Sequence, residues 1–477
     1  MSCVVSFFTK ETFLTGKDEK MILELTYYLS LFLFLFAYAA VLVRFVMLLL
    51  SIGWIGYEKK LIRRGVDNYP KVSLLIPAFN EEATIVESLT HVINSEYPDL
   101  EIIVVNDGSK DNTLSLLIEA FELKENRKLE LTESIPTQSV RGVFTNNAIR
   151  NLIVVDKNNG GKADALNCAI NASSGEYVLA LDADTVLTKN TIKYLIKPVL
   201  TDDRTVVTSG SIRIMPESRK YSLLSDLQKI EFVNSISLFR TGWNYLNANL
   251  IVSGALGLFN KKIMLEVGGY HNLAIGEDME VIVRIHRCLL DKKVPYRILQ
   301  LALPTCFTEP VPSVKDMIKQ RTRWQKGLLS SLRLNTKLFL RPRYKSIGLI
   351  ALPFYFLFEV LSPFLEVLGL LLYAFLLLYG GKTFSFSIFD GFMPVGPWLP
   401  LYVWCAGLIF AIFNDWLSIT IDKFMLRGMS WKDYGRLLIS SALGPFFYHF
   451  LQLYCKIKGT LQYFFTIQTS TVWSTKR

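Results

Sequence analysis

Two stretches of this chain are too apolar to be left in water and too long to be packed inside a small domain. Residues 25–56 are almost wholly apolar, interrupted by Arg44, and residues 347–379 form a second such block. A bilayer-spanning helix needs about 20 consecutive apolar residues. Residues 25–43 therefore suffice for one span, with 45–56 either extending it or lying along the interface. In the second block Pro353, Glu359, Pro363 and Glu366 divide the run into an interfacial piece over 347–358 and a span over 360–380. Residues 398–421 make a third span, with Trp398, Tyr402 and Trp404 as interface aromatics. Residues 437–455 are apolar but carry Gly444, Pro445 and His449, so they either cross or only dip in. A cleaved signal peptide is the alternative for the first run, but the run is too long and no small-residue cleavage site follows it.

The rest of the chain has a different character. Mean hydropathy is +0.31 and 51% of residues are apolar, yet 20% are charged. The net charge is +10, and its carriers cluster beside the apolar runs. Lys59, Lys60, Arg63 and Arg64 follow the first; Lys337, Arg341, Arg343 and Lys345 precede the second; Lys423, Arg427, Lys432 and Arg436 follow the third. This is the pattern of positive-inside loops facing membrane lipids rather than a nucleic-acid footprint. It places the middle of the chain in the cytoplasm. The six cysteines and four histidines show no metal-ligand spacing. Any metal is then held by oxygen, with Mg²⁺ or Mn²⁺ expected.

The middle, residues 70–335, reads as an α/β domain between a membrane segment over 1–69 and a membrane-associated region over 336–477. Apolar runs of strand length at Val72–Ile76, Glu101–Val105, Leu152–Val155, Tyr177–Leu181 and Thr205–Ser209 alternate with helix-like stretches at 81–95, 112–124, 162–173 and 188–200. Alternation of this kind predicts a mostly parallel sheet covered by helices. Residues 125–150 are polar and aperiodic, and are read as a loop or insertion. Ligands of such sheets sit at the carboxyl ends of the strands, so the residues after each strand are where chemistry is sought.

After the first strand come Pro77, Asn80 and Glu81, a candidate donor-binding turn in which Asn80 also suits a helix cap. After the second comes Asn106-Asp107-Gly108-Ser109, where Asp107 either contacts a base or ribose or belongs to an ordinary turn. After the third, Gly160-Gly161-Lys162 permits close backbone approach and puts a lysine near a phosphate, without forming a Walker A loop. After the fourth come Asp182-Ala183-Asp184. Two carboxylates one residue apart at a strand end make a poor core and a good site for a divalent cation on a diphosphate. Val252–Gly257 is a small-residue loop that either approaches a ligand or only turns. Gly276-Glu277-Asp278 opens a helix and offers a general base for a hydroxyl, or simply helix N-terminal charge. Gln320-Arg321-Thr322-Arg323-Trp324 offers Arg323 to a diphosphate and Trp324 to a sugar ring, or else makes an amphipathic interface helix.

Taken together, N-D-G at 106–108, G-G-K at 160–162, D-A-D at 182–184, G-E-D at 276–278 and Q-R-T-R-W at 320–324 resemble family 2 glycosyltransferases. Within them the chain is similar to the processive membrane synthases of cellulose, hyaluronan, chitin and poly-N-acetylglucosamine. The resemblance implies a GT-A-like cytoplasmic domain and an inverting hexosyltransferase. Its donor would be a UDP-sugar, UDP-GlcNAc or UDP-glucose first, and its product a growing β-linked polysaccharide, possibly moved across the membrane as it is made. It assigns Asp107 to the uracil or ribose, Asp182 to the nucleotide or sugar, Asp184 to the metal and Asp278 to the base. Glu277, Gln320 and Trp324 would line the acceptor end, and Lys162 and Arg323 the donor. It also implies a bacterial inner membrane location and accessory or export subunits. The absence of an F-x-V-T segment after Trp324 points away from the cellulose branch. Two rivals are a non-processive transferase acting on a lipid carrier, which Gln320–Trp324 argues against, and a transporter, for which Glu359, Glu366 and Asp415 within apolar segments speak.

Overall fold

A computed structural model describes residues 16–465 apart from 67, 130, 150, 216–221, 273, 381–385, 389–392, 396–397 and 427. By its internal contacts the chain separates into two units, one of residues 1–43 with 361–411 and the other of 44–360 with 412–477.

The larger unit carries a ten-stranded sheet. Its strands are β1 (Val72–Ala78), β2 (Leu100–Asn106), β3 (Lys124–Glu125), β4 (Val140–Thr145) and β5 (Leu152–Lys157), then β6 (Tyr177–Leu181), β7 (Val186–Leu187), β8 (Thr205–Ile214), β9 (Leu256–Asn260) and β10 (Arg297–Thr308). Their order is β3-β4-β5-β2-β1-β6-β9-β8-β10-β7. The central strands β5, β2, β1 and β6 are parallel, β8 and β10 are parallel to each other, and β9 runs antiparallel between β6 and β8.

Side-chain alternation splits the buried residues into two cores. Leu74, Ile76, Ile102 and Val104 face one way, Leu75, Ile103, Val105 and Val155 the other. A sheet buried on both faces reads as near-continuous apolar sequence, which is why these strands were legible. Each fully buried Leu or Ile adds roughly 1.5–3 kcal/mol. Pro77 lies in β1 beyond Leu75, where pairing with β6 ends, so its missing N–H disturbs no ladder on that side.

Helices α1 (Gly16–Ile62), α2 (Ile85–Ile93), α3 (Thr113–Ala120), α4 (Lys162–Ala172), α5 (Thr191–Thr201) and α6 (Leu223–Glu231) come first. A π-helical turn, Phe232–Leu238, links α6 to α7 (Phe239–Gly242). Then come α8 (Lys261–Glu266), α9 (Glu277–Asp291), α10 (Val314–Leu334), α11 (Leu352–Phe354), α12 (Ser362–Gly380), α13 (Leu399–Ile421) and α14 (Trp431–Phe465).

In the smaller unit, Leu23, Tyr27 and Phe34 of α1 pack with Tyr373 and Leu376 of α12 and with Leu399 and Trp404 of α13. Gly369 permits this approach, since a Cβ there would stand 3.2 Å from the Leu33 Cβ. Among the described residues three helical runs are long and apolar enough to cross a membrane: Met21–Ile62, Ile347–Leu378 and Leu399–Leu426.

Three expectations change. The polar stretch 125–150 is not all loop, because β4 lies within it as an antiparallel neighbour of β5. Its outer residues are exposed, so it lacks the apolar run that marks an inner strand. The second apolar block is helical throughout, its π turns Ile347–Ala351 and Tyr355–Leu361 absorbing Pro353 without a break. Residues 437–455 lie within α14, which is not among the three membrane-length apolar runs.

Candidate active site

The carboxyl ends of β1, β2, β5 and β6 bring four of the predicted loops to one edge. The first two are laced together. Asn80 adopts a left-handed φ of 56°, donates its N–H to Ser109 Oγ (3.0 Å) and accepts from Lys110 N–H at its Oδ1 (2.8 Å). Glu81 N–H donates to Thr113 Oγ1 at 2.9 Å. The predicted cap role of Asn80 is therefore replaced: α2 begins at Ile85, after Thr84, and Asn80 joins loop to loop.

Asp107 is anchored from within the protein. It is fully buried, and its carboxylate accepts from Lys157 Nζ (2.7 Å), Gly160 N–H (3.0 Å) and Gly161 N–H (2.8 Å). Burial pushes its carboxyl up, against the downward pull of Lys157 and the two amides. Lys157 was not singled out in the sequence. It is itself fully buried and sits between Asp107 and Asp164 (2.5 Å), with a third bond to Asn158 O at 2.7 Å. An ammonium has three donors, and all three are used. Asp164 also accepts from Gln138 N–H at 3.2 Å. The Gly-Gly loop is thus fixed from beneath, and Gly161 holds its φ of 89° without strain.

One residue further on, Lys162 opens α4 and points to the other cluster. Its Nζ is 2.6 Å from Asp182 Oδ1 and 3.6 Å from Glu277 Oε1. Burial alone would lower this ammonium, but Asp182 and Glu277 outweigh it and the net shift is upward. Both acids are raised, chiefly by burial; Lys162 opposes this, while Asp184 adds to it at Asp182 and Asp278 at Glu277. Arg323, exposed on α10, draws both acids downward. Gly254 closes the cluster, since a Cβ there would stand 3.2 Å from Lys162 Nζ and 3.5 Å from Asp278 Cβ. The small-residue loop thus packs against Lys162 and Asp278, and Leu256 and Gly257 already belong to β9.

Asp278 Oδ1 accepts from Met279 N–H at 2.8 Å. The turn before it is clamped on two sides. Asn167 of α4 exchanges two hydrogen bonds with the Tyr270 backbone, and Gly276 lies against Gly327 of α10, where a Cβ would meet backbone at 2.9 Å. Gly327 was another residue whose part the sequence did not show. Arg240 is a third: its Nη1 is buried without a hydrogen-bond partner among the described residues, and Tyr355 and Asp278 oppose the lowering of its guanidinium by burial.

Along α10 the two arginines of the R-T-R run divide. Arg321 turns inward to Glu231 (2.5 Å), takes a bond to Gln320 Oε1 and stacks 4.0 Å from the Trp324 ring. Trp324 keeps 39% of its surface exposed, so one part of the ring remains available.

The acids gathered at this edge are carboxylates, whose oxygens suit a hard cation. Among the described residues no three acidic, His or Cys side chains converge on one point. The residues fit a cation that takes one or two carboxylates from the protein and the remainder from substrate phosphates, as Mg²⁺ commonly does.

A family model described as glycosyltransferase-like family 2 matches residues 70–327. The chain is 30% identical over 310 residues to a poly-beta-1,6-N-acetyl-D-glucosamine synthase of Staphylococcus aureus, 65% of either chain. It is 30% identical over 256 residues to a synthase of the same name from Staphylococcus epidermidis, 54% of either chain. The match thus spans between half and two thirds of the length of these relatives. Among solved structures it is similar to a mannosyltransferase from Pyrobaculum calidifontis in complex with GDP-Man and Mn²⁺. That likeness has a TM-score of 0.50 and 18% identity, over 87% of this chain and 99% of the other. At that identity the likeness is one of fold, and the fold is GT-A-like.

Proposed function

The chain belongs to glycosyltransferase-like family 2, and from that premise we propose that it moves N-acetylglucosamine from UDP-GlcNAc onto a growing β-linked polysaccharide, with inversion at C1. The donor follows from what the staphylococcal relatives are named for. The observation that carries the reaction is the grouping of Lys162, Asp182, Glu277 and Asp278 at one strand edge, with Arg323 beside them.

The steps follow from charge and reach. Lys162 and Arg323 bind the diphosphate and stabilise the negative charge that grows on the departing UDP. Asp182 positions the nucleotide-sugar, and Asp107 supports it indirectly by holding the loop that carries Lys162. Asp278 takes the proton from the acceptor hydroxyl as that oxygen attacks C1. Glu277, Gln320 and Trp324 mark the acceptor side, Trp324 offering its exposed ring to a sugar. Asp184 is the residue to hold Mg²⁺ or Mn²⁺, which when bound neutralises charge on the diphosphate; Mn²⁺ accompanies the Pyrobaculum neighbour. The three apolar helices cross a bacterial inner membrane, with the sheet domain in the cytoplasm beside Lys59–Arg64.

Two of the three charges that speak for a transporter, Glu359 and Asp415, have partners within the protein. Glu359 is paired with Arg44 (2.5 Å) and Lys456 (2.6 Å), and Asp415 accepts from Asn234 at 2.7 Å, so these charges hold helices together. The test of the role assignment is Asp278→Ala. Transfer should vanish while UDP binding, followed by calorimetry, is kept; loss of both together would undo it.

A further inference from the structure

Away from the site, a cavity of about 100 Å³ lies where β8, β10 and α6 meet the segment that follows α13. Arg213, Lys229, Phe232, Asp422, Gly428 and Asp433 are among its walls. Arg213, at the end of β8, is only 7% exposed and turns both Nη atoms to the buried Asp422. That leaves its Nε, which is buried without a hydrogen-bond partner among the described residues. Lys229 faces Asp433, whose carboxylate is already engaged by Ser430 and Arg436. Gly428 must lack a side chain, since a Cβ there would collide with the Arg213 guanidinium.

On the walls Arg213 and Lys229 stand against Asp422 and Asp433, and both acids are already engaged, Asp422 by Arg213 and Asp433 by Ser430 and Arg436. Pockets for whole small molecules run to roughly 300–1,000 Å³. This one admits a tetrahedral oxyanion and little more. Its surroundings indicate the carrier. Phe424 and Trp431, 57% and 66% exposed, pack edge to face at 5.7 Å, and Lys423 Nζ stands 4.4 Å from the Trp431 ring centre. Exposed aromatics beside lysines at the end of an apolar helix mark the headgroup level of a bilayer, and basic pockets there take anionic headgroups.

We propose that this cavity binds the phosphate of an anionic phospholipid headgroup through Arg213 Nε and Lys229 Nζ. The inference rests on the reading that the three apolar helices span a bilayer, and it is independent of the transfer chemistry. The test places the full chain in nanodiscs of phosphatidylcholine alone or mixed with phosphatidylglycerol, and reads retained lipid by native mass spectrometry together with Tm. Phosphatidylglycerol should be retained and raise Tm in the wild type and in Lys432→Ala, a surface control of equal charge. Lys229→Ala should bind it about tenfold more weakly, as loss of one charge-assisted donor implies, and Lys229→Arg should restore it. Equal Tm and retention in both lipids, or an unchanged Lys229→Ala, would overturn the site. The same Tm rise from inorganic phosphate in phosphatidylcholine discs would overturn the lipid as carrier. A chain that stays soluble without lipid or detergent would overturn the membrane reading and this site with it.

Discussion

Lys157 and Lys162 stand at either side of one short loop, and each lies between two acids. Lys157 and its partners Asp107 and Asp164 are 0%, 0% and 2% exposed; Lys162, Asp182 and Glu277 keep 18%, 33% and 14% of their side chains open. The same three charges therefore serve two ends. In the sealed cluster every donor of the lysine is spent on protein, so nothing is left for a ligand and the whole value of the group is positional. In the open cluster the lysine has carboxylates on one side and solvent on the other. A diphosphate can compete for it there. A motif residue such as Asp107 thus has a structural part in holding the loop whatever else it contacts.

The sharpest way to break this contrast is Lys157→Met, which strands two buried carboxylates. The expected cost is about 3–5 kcal/mol, seen as a large fall in Tm or as loss of folded protein. Lys157→Arg should not rescue it, because a planar guanidinium cannot direct three bonds as the ammonium does. Lys162→Ala, by contrast, should leave Tm within about 1 kcal/mol of stability, as for a partly exposed pair. It should raise the KM for the donor about 10–100-fold, the worth of one charge-assisted bond to phosphate. Equal stability losses in the two variants would erase the distinction drawn here.

A third, smaller effect is expected at Gly327→Ala. Its Cβ would stand 3.1 Å from Gly276 Cα, and overpacking of that kind costs about 1–3 kcal/mol. Since Gly276 leads into Asp278, kcat should fall while the donor KM holds; a Michaelis analysis separates the two. The smallest change is foreseen for Trp324→Phe, which keeps a stacking ring and should shorten the product on a gel without altering UDP release from single turnovers.

Acidification gives one more comparison, between open cluster and buried core. His286 is held down to about 4 by burial between Tyr296 and Asn249. The unfolded chain takes up that proton near pH 6.5, so stability should decline as pH falls from 6.5 towards 4. The decline should be absent in His286→Gln when melting is followed across that window.

Much of the fold was legible because the inner strands are buried on both faces and announce themselves as unbroken apolar runs. The edge strand β4, half exposed and polar, carries no such signal. In the site, the residues after each strand were found because acids and glycines there suit no core. Lys157 was missed for the opposite reason: beside Asp156 at a strand end it looks like a solvated terminus, and its partner Asp107 is 50 residues away. Burial of a charge is a tertiary fact. The division of Arg321 and Arg323 is likewise set by Glu231 and the turn of α10, neither of which the Q-R-T-R-W run reveals.

The most direct test of the account is UDP release by the purified chain in detergent or nanodiscs, offered UDP-GlcNAc, UDP-glucose and UDP-glucuronate separately with Mg²⁺ or Mn²⁺. Release from UDP-GlcNAc, dependent on the divalent ion and lost in Asp278→Ala, is the predicted result. Release from another donor alone, or release that survives Asp278→Ala, would contradict it.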